Sequence, residues 1–418
     1  MPISFDPRQT INKLKELRTL TGDENGAQRV AFTPTWSQSR TWLQNLLADL
    51  PVENHVDEAG NHWTTLRGQS NRALLLGSHL DSVPNGGWLD GCLGVVAGAE
   101  ILRRISDQYN GKPPITVRLV DWADEEGARF GKSLYGSSAC SGSLDMDAAR
   151  NFRDKDGISL PDALRAVGVD FEHAKESHKE LANAAAYLEL HIEQGPVLLD
   201  LSLPLATVIG TFGTERHSIT FHGQTAHSGT TPMNRRRDAF LAAAKMAPEI
   251  YRIAEKYNGV CTLGGVQVKP AGNTVVGVVA ECHLALDQRC LDASSLAQML
   301  QEAKDASQRF AAEGNVTVEW KRHIQIAPML FHPDLIALAD QSIAETGAPP
   351  HRLPSGALHD AAEMARANIP TVMLFVQSLH GISHNKIEDT RENHLELAIS
   401  AFDNLAEKTM HWIAKTTQ

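Results

Sequence analysis

The stretch Ala73-Leu-Leu-Leu-Gly-Ser-His79-Leu-Asp81-Ser-Val-Pro-Asn-Gly-Gly-Trp-Leu-Asp90-Gly91 decides the fold. Its opening apolar run does not alternate, as expected of a strand buried on both faces of a parallel sheet. It passes at once into a loop of polar and glycine residues. In open α/β sheets ligands bind beyond the carboxyl ends of the strands, so His79, Asp81 and Asp90 emerge where chemistry is expected. Gly86, Gly87 and Gly91 permit the tight backbone that brings Asp90 back towards His79. Two carboxylates and an imidazole so close repel or titrate away unless a cation is present. Taken alone, this loop reads equally as a metal site and as a polar turn.

Outward from it the pattern is strand, helix, strand. Apolar spacing predicts helices across residues 6–48, a strand over Asn61-His-Trp-Thr-Thr-Leu-Arg67, a helix from about Gly94 to Ser106, and a second buried strand over Ile115-Thr-Val-Arg-Leu-Val-Asp-Trp-Ala123. This implies an α/β fold with a mostly parallel sheet covered by helices. Near residue 207 the pattern changes to a strand at Ser218, a helix from Asp238 to Tyr257, strands over 264–269 and 278–287, a helix from Ser294 to Ala312, and a strand from Asn315. That β, α, β, β, α, β order is ferredoxin-like. The α/β pattern resumes from about Pro333, with a buried strand over 370–375 and a closing helix over 393–415. A length of 418 residues also favours two domains. We therefore expect a catalytic domain over 1–208 and 329–418, interrupted by an inserted α+β domain over 209–328.

Composition excludes several classes of function. A net charge of −11 argues against nucleic acid, whose binding relies on Lys and Arg neutralising phosphates. The N-terminus carries no charged and apolar leader, and no apolar run approaches the roughly 20 residues of a membrane helix. A cytoplasmic protein without membrane contact is expected. The five cysteines are odd in number and widely spaced, so they read as reduced thiols, with Cys92 a small core residue rather than a ligand.

Three further clusters follow strands. Asp124-Glu125-Glu126-Gly127 places neighbouring carboxylates on different sides of a strand end, so one can ligate a metal while the other acts as a base. In isolation such a triplet reads more readily as a solvated turn. Glu189-Leu-His191-Ile-Glu193-Gln194-Gly195-Pro196 and His380-Gly-Ile-Ser-His384-Asn385 add histidines. Histidine and carboxylate ligands suit zinc, manganese, cobalt or nickel. Among 18 histidines most are structural, but all four clusters fall at strand ends.

The sequence resembles the dinuclear aminoacylase and carboxypeptidase superfamily, in its amidase, hydantoinase and carbamoylase branch. The resemblance spans nearly the whole chain and rests on Ser78-His-Leu-Asp, Gly86-Gly-Trp-Leu-Asp-Gly, Asp124-Glu-Glu-Gly-Ala-Arg-Phe, Leu190-His-Ile-Glu-Gln-Gly-Pro, Ala226-His-Ser-Gly-Thr-Thr-Pro-Met with Arg236-Arg-Asp, and Gly381-Ile-Ser-His. It implies two divalent ions bridged by Asp90, with His79 and His191 completing one coordination sphere and Glu126 and His384 the other. It further implies that Asp81 orients His79 and that Glu125 is the general base. His227 would reach across a homodimer formed through the inserted domain, which serves as lid and dimerisation surface, to stabilise an oxyanion. Arg216, Asn273 and Arg289 would grip a substrate carboxylate, with Gln194 and Gly356 also lining the substrate.

The implied reaction is hydrolysis of a ureido C–N bond in an N-carbamoyl-L-amino acid. Allantoate and ureidopropionate are the alternative substrates, and a true amide, as in an aminoacylase or dipeptidase, is a further one. A non-catalytic binding protein on this scaffold would be expected to lack Glu125 or a ligand, and none is missing. One departure is Leu358 in Ser355-Gly-Ala-Leu-His-Asp360, where relatives commonly carry glycine. It either reshapes the substrate pocket or packs into the core.

Overall fold

The computed structural model describes residues 5–269 and 276–416. These form two compact units, one of residues 1–210 and 331–418, the other of residues 211–330. The divisions thus fall at 210/211 and 330/331, against the expected 208/209 and 328/329.

In the first unit the uniformly apolar runs form the centre of the sheet. Ile115–Trp122, Ser70–His79, Ala184–Ile192 and Thr371–Val376 lie side by side in that order, all parallel. Leu74, Leu75, Leu76, Val117, Leu119, Leu188, Leu190, Val372 and Leu374 are buried in one core, as strands covered on both faces require. Antiparallel strands close the two sides: His62–Leu66 beside Ile115–Trp122, and Leu205–Thr211 beside Thr371–Val376. The predicted N-terminal helices are Pro7–Thr21 and Pro34–Leu46, each with proline in its first turn and a capping side chain, Asp6 and Thr33. Helix Cys92–Gln108 begins directly after the Asp90 loop, and its first half is buried throughout. The strand Glu53–Val56 was not legible, because all four residues are exposed and carry no apolar signal.

The second unit is a four-stranded antiparallel sheet in the order Val260–Lys269, Glu281–Cys290, Gly213–His222, Thr317–Ile326. With helices Ala239–Lys256 and Ala293–Glu313 it has the ferredoxin-like arrangement. Ile219, Phe221, Met246, Ile250, Leu284 and Met299 form its own core. No helix among the described residues is long and apolar enough to cross a membrane.

One buried histidine gives this fold a pH signature. His62 lies inside the first unit with Nε2 2.9 Å from Gln44 Nε2, so the amide donates to an unprotonated ring nitrogen. Burial, helped by the Arg40 charge, pushes its pKa down from 6.5 to about 3. The unfolded chain takes up a proton below pH 6.5 that the folded chain refuses, so stability is lost as pH falls from 6.5 towards 3, by about 1.4 kcal/mol per pH unit. In urea unfolding of metal-free protein, His62→Gln should narrow the stability difference between pH 7 and pH 5 by about 2 kcal/mol. Equal acid sensitivity in variant and parent would refute this.

Candidate metal centre

The four parallel strands deliver one cluster each to the same sheet edge. His79 ends Ser70–His79, Asp124-Glu125-Glu126 follow Ile115–Trp122, His191 lies one residue from the end of Ala184–Ile192, and His384 sits in the loop after Thr371–Val376. Asp124 and Glu125 are buried, which overturns the solvated-turn reading. Three groups of potential ligands converge, His79 with Asp90 and His191, Asp90 with Glu126 and His384, and Glu189 with His191 and His359; the first two share Asp90.

Asp90 belongs to both groups because its two oxygens face opposite ways. Oδ1 lies 3.2 Å from His191 Nε2 and 3.8 Å from His79 Nε2, whereas Oδ2 lies 3.5 Å from His384 Nε2. His384 Nε2 is in turn 3.3 Å from Glu126 Oε2. Ligands held at roughly 2.1 Å by a tetrahedral zinc stand about 3.4 Å apart, so these separations suit ions seated between the side chains. A second observation agrees. His191 Nε2 and Glu126 Oε1 are buried without a hydrogen-bond partner, the condition of atoms meant for a cation. The His191 Nδ1 proton is committed to the Ile192 carbonyl at 2.9 Å, and His79 Nδ1 faces the Asp81 carbonyl at 3.1 Å, leaving both Nε2 lone pairs free to ligate.

Asp81 touches both His79 and the acidic loop. Its carboxylate stands 3.5 Å from His79 Nδ1 and also accepts the backbone N–H groups of Glu125, at 3.2 Å, and Glu126, at 3.1 Å. One side chain therefore ties two of the clusters together. Glu126 points to His384, whereas Glu125 Oε2 lies 3.6 Å from His79 Nε2 and belongs to none of the three groups. Burial pushes the Glu125 carboxyl well above the usual carboxylate range; His79 opposes this, while Asp360 and Glu126 reinforce it. At Asp90, burial is outweighed by the nearby His191, His79 and His384 imidazoles, which hold its carboxyl low. A carboxyl with a raised affinity for protons beside a firmly ionised one is the division that acid–base chemistry needs.

Backbone strain collects here too. Asp124, Gln194, His380 and His384 all have φ between 54 and 61°, a left-handed region that residues such as glutamine seldom enter and that aspartate and histidine enter more often than most. Gly91, at φ 66°, is required: a Cβ there would stand 2.4 Å from the His79 carbonyl oxygen.

A model of the peptidase family M20/M25/M40 matches residues 75–408. The chain belongs to this family. It is similar to an N-carbamoyl-L-amino acid amidohydrolase of Geobacillus stearothermophilus, 34% identical over 88% of this chain and 90% of that protein. It is also similar to an allantoate amidohydrolase of Escherichia coli K12, 31% identical over 87% and 88%. The crystal structure of an amidase of the hydantoinase/carbamoylase family from Burkholderia multivorans superposes with a TM-score of 0.87, at 29% identity, over 97% of this chain and 98% of that one. The M20 family is metal-dependent, and the two groups that share Asp90 are among those this member offers a metal.

The M20 site also contains residues that motif reading missed. Glu388 is buried, and its Oε1 accepts the backbone N–H groups of Leu89 and Asp90 at 3.2 and 3.1 Å. The Ser383 hydroxyl lies 2.7 Å from Glu388 Oε2 and 2.9 Å from Asp90 Oδ2, so loop 383–388 straps down the Asp90 carboxylate. Gly87 makes room for this strap, since a Cβ there would overlap the Glu388 carboxylate. The only sequence signal was an acidic residue four places beyond His384. His359 is buried with its ring centroid 4.5 Å from that of His191, and so packs on that imidazole.

The remaining expected residues fall in different places. Gln194 Nε2 donates to Asp90 Oδ2 at 2.9 Å, beside the metal groups. Gly356 is exposed, and Leu358 is half-buried outside the hydrophobic core. In the inserted unit Arg216 and Arg289 both donate to Asp287, at 2.6 and 2.8 Å, and stand on neighbouring strands of one sheet face. His227 is exposed, and its Nδ1 accepts the Gly229 and Thr230 N–H groups, both at 3.1 Å. That fixes the tautomer carrying its proton on Nε2. Asn273 lies outside the described residues.

Proposed function

We propose that this M20 member hydrolyses the carbamoyl C–N bond of an N-carbamoyl-L-amino acid to L-amino acid, carbon dioxide and ammonia, with two divalent ions from among zinc, manganese, cobalt and nickel. The observation that carries the reading is the Asp90 carboxylate facing two ligand groups beside an uncommitted, high-pKa Glu125. Similarity to the Geobacillus amidohydrolase favours the carbamoyl substrate.

In this reading His79, Asp90 and His191 hold one ion, and Asp90, Glu126 and His384 the other. Bound there, the ions would acidify a water and polarise the scissile carbonyl. Glu125 takes the water's proton and returns it to the leaving nitrogen, a task suited to a carboxyl whose affinity for protons burial has raised. Asp81 keeps Glu125 and His79 in register. His227, with its proton on Nε2, reaches across the homodimer and donates to the developing oxyanion. Arg289, with Arg216 and Asn273, binds the substrate carboxylate through its guanidinium fork, while Gln194 and Gly356 border the substrate.

The inserted unit supplies the lid and the homodimer surface. Phe240, Leu241 and Tyr251 on helix Ala239–Lys256 and Val260 and Val266 on the adjoining edge strand are exposed apolar side chains that a second copy would cover. Cytoplasmic location completes the assignment.

Ammonia release from N-carbamoyl-L-amino acids, allantoate, ureidopropionate and N-acetyl amino acids, with each metal added in turn, tests the substrate. Turnover should be highest with an N-carbamoyl-L-amino acid. Activity confined to allantoate would transfer the assignment to the chemistry of the Escherichia coli relative, and cleavage of N-acetyl amino acids alone would overturn both.

A further inference from the structure

Between His79, a ligand, and Asp81, which organises the acidic loop, lies Leu80, and its peptide groups are held from both sides by buried charged side chains. Its N–H donates to Asp121 Oδ1 at 2.7 Å, and Asp121 is fixed by the Arg40 guanidinium at 2.6 Å. Its carbonyl accepts Arg29 Nε at 2.8 Å. Arg29 is fully buried, yet among the described residues it forms no ion pair; Nη1 reaches only the Thr21 hydroxyl, at 3.2 Å, and Nη2 has no partner. A buried guanidinium without a carboxylate is costly to keep, which points to a use other than stability. Its backbone is joined to the same loop. Arg29 N–H donates to the Ser82 hydroxyl at 3.1 Å, Ser82 N–H donates to the Arg29 carbonyl at 3.1 Å, and Ala27 N–H donates to the Gly86 carbonyl at 2.9 Å. Segment 27–29 thus forms a clasp along the first part of the loop that carries Asp81 and Asp90.

We propose that Arg29 is a positioning residue for the metal centre, fixing the Leu80 peptide and through it the His79 ring and the Asp81 carboxylate. Only a planar guanidinium can present Nε to the Leu80 carbonyl while a second nitrogen reaches Thr21; a lysine keeps the charge but one reach. The inference rests on His79 being a ligand. It concerns metal affinity, which is read without substrate.

The test is zinc affinity by chelator competition for the wild type, Arg29→Met, Arg29→Lys and Ser82→Ala, with thermal melting of each metal-free protein. Arg29→Met should weaken zinc binding about 10- to 100-fold, the usual effect of losing a group that orients a ligand. Its metal-free form should still melt cooperatively, and Arg29→Lys should recover part of the loss. If Arg29→Met does not fold, Arg29→Lys and Ser82→Ala carry the test, and each should bind zinc more weakly than the wild type. Affinities within twofold of the wild type in the folded variants overturn the proposal. A wild type that binds no zinc overturns the metal-centre reading instead.

Discussion

Glu125→Gln should keep its full complement of metal and lose at least about a thousandfold in kcat, at the upper end of what a positioned acid–base group contributes. The prediction separates two neighbours. Glu125 and Glu126 share one turn and both amides are tied to Asp81, but only Glu126 belongs to a ligand group. Glutamine preserves the shape of the Glu125 side chain and removes its capacity to take a proton. Metal content by elemental analysis should therefore stay at the wild-type level while turnover collapses, with KM little changed, because substrate contacts are untouched. Glu126→Gln should do the opposite and lower metal content first. A Glu125→Gln enzyme that retains a tenth or more of its turnover would remove the residue from the mechanism.

Asp90→Ala should empty both positions. Its two oxygens stand 3.2 Å from His191 Nε2 and 3.5 Å from His384 Nε2, so each ligand group loses its shared member at once. Deleting it also leaves the His79, His191 and His384 imidazoles without the anion that balances them. Metal per chain should fall from two to near zero, and turnover to background. His384→Ala, by contrast, should cost one ion only. An Asp90→Ala protein that still holds one ion tightly would show that the groups are independent, and the bridging role would fall.

Much of this was legible in the sequence because the determinants are local. The run Ala73–Leu76 is apolar at every position and could belong only to a covered strand, and the histidines and acids follow such strands directly. The ferredoxin-like unit was legible because its strands and helices alternate with clear periods. What could not be read depends on contacts between distant parts of the chain. Glu388 holds the Asp90 backbone from about 300 positions away, Arg29 grips Leu80 from the N-terminal segment, and His359 packs on His191. None of these sits in a pattern that periodicity or spacing marks. The two readings of Asp124-Glu125-Glu126, solvated turn or site, could be separated only by burial, since the composition of the triplet is the same in both.

Leu358 has a plainer outcome than either sequence expectation. It is half-buried and outside the core, one residue before His359.

The proposed hydrolysis requires two ions acting together. Metal-free protein titrated with manganese while ammonia release from an N-carbamoyl-L-amino acid is followed should gain activity that saturates at two ions per chain. Full activity at one ion per chain, or no ammonia at any metal ratio, would contradict it.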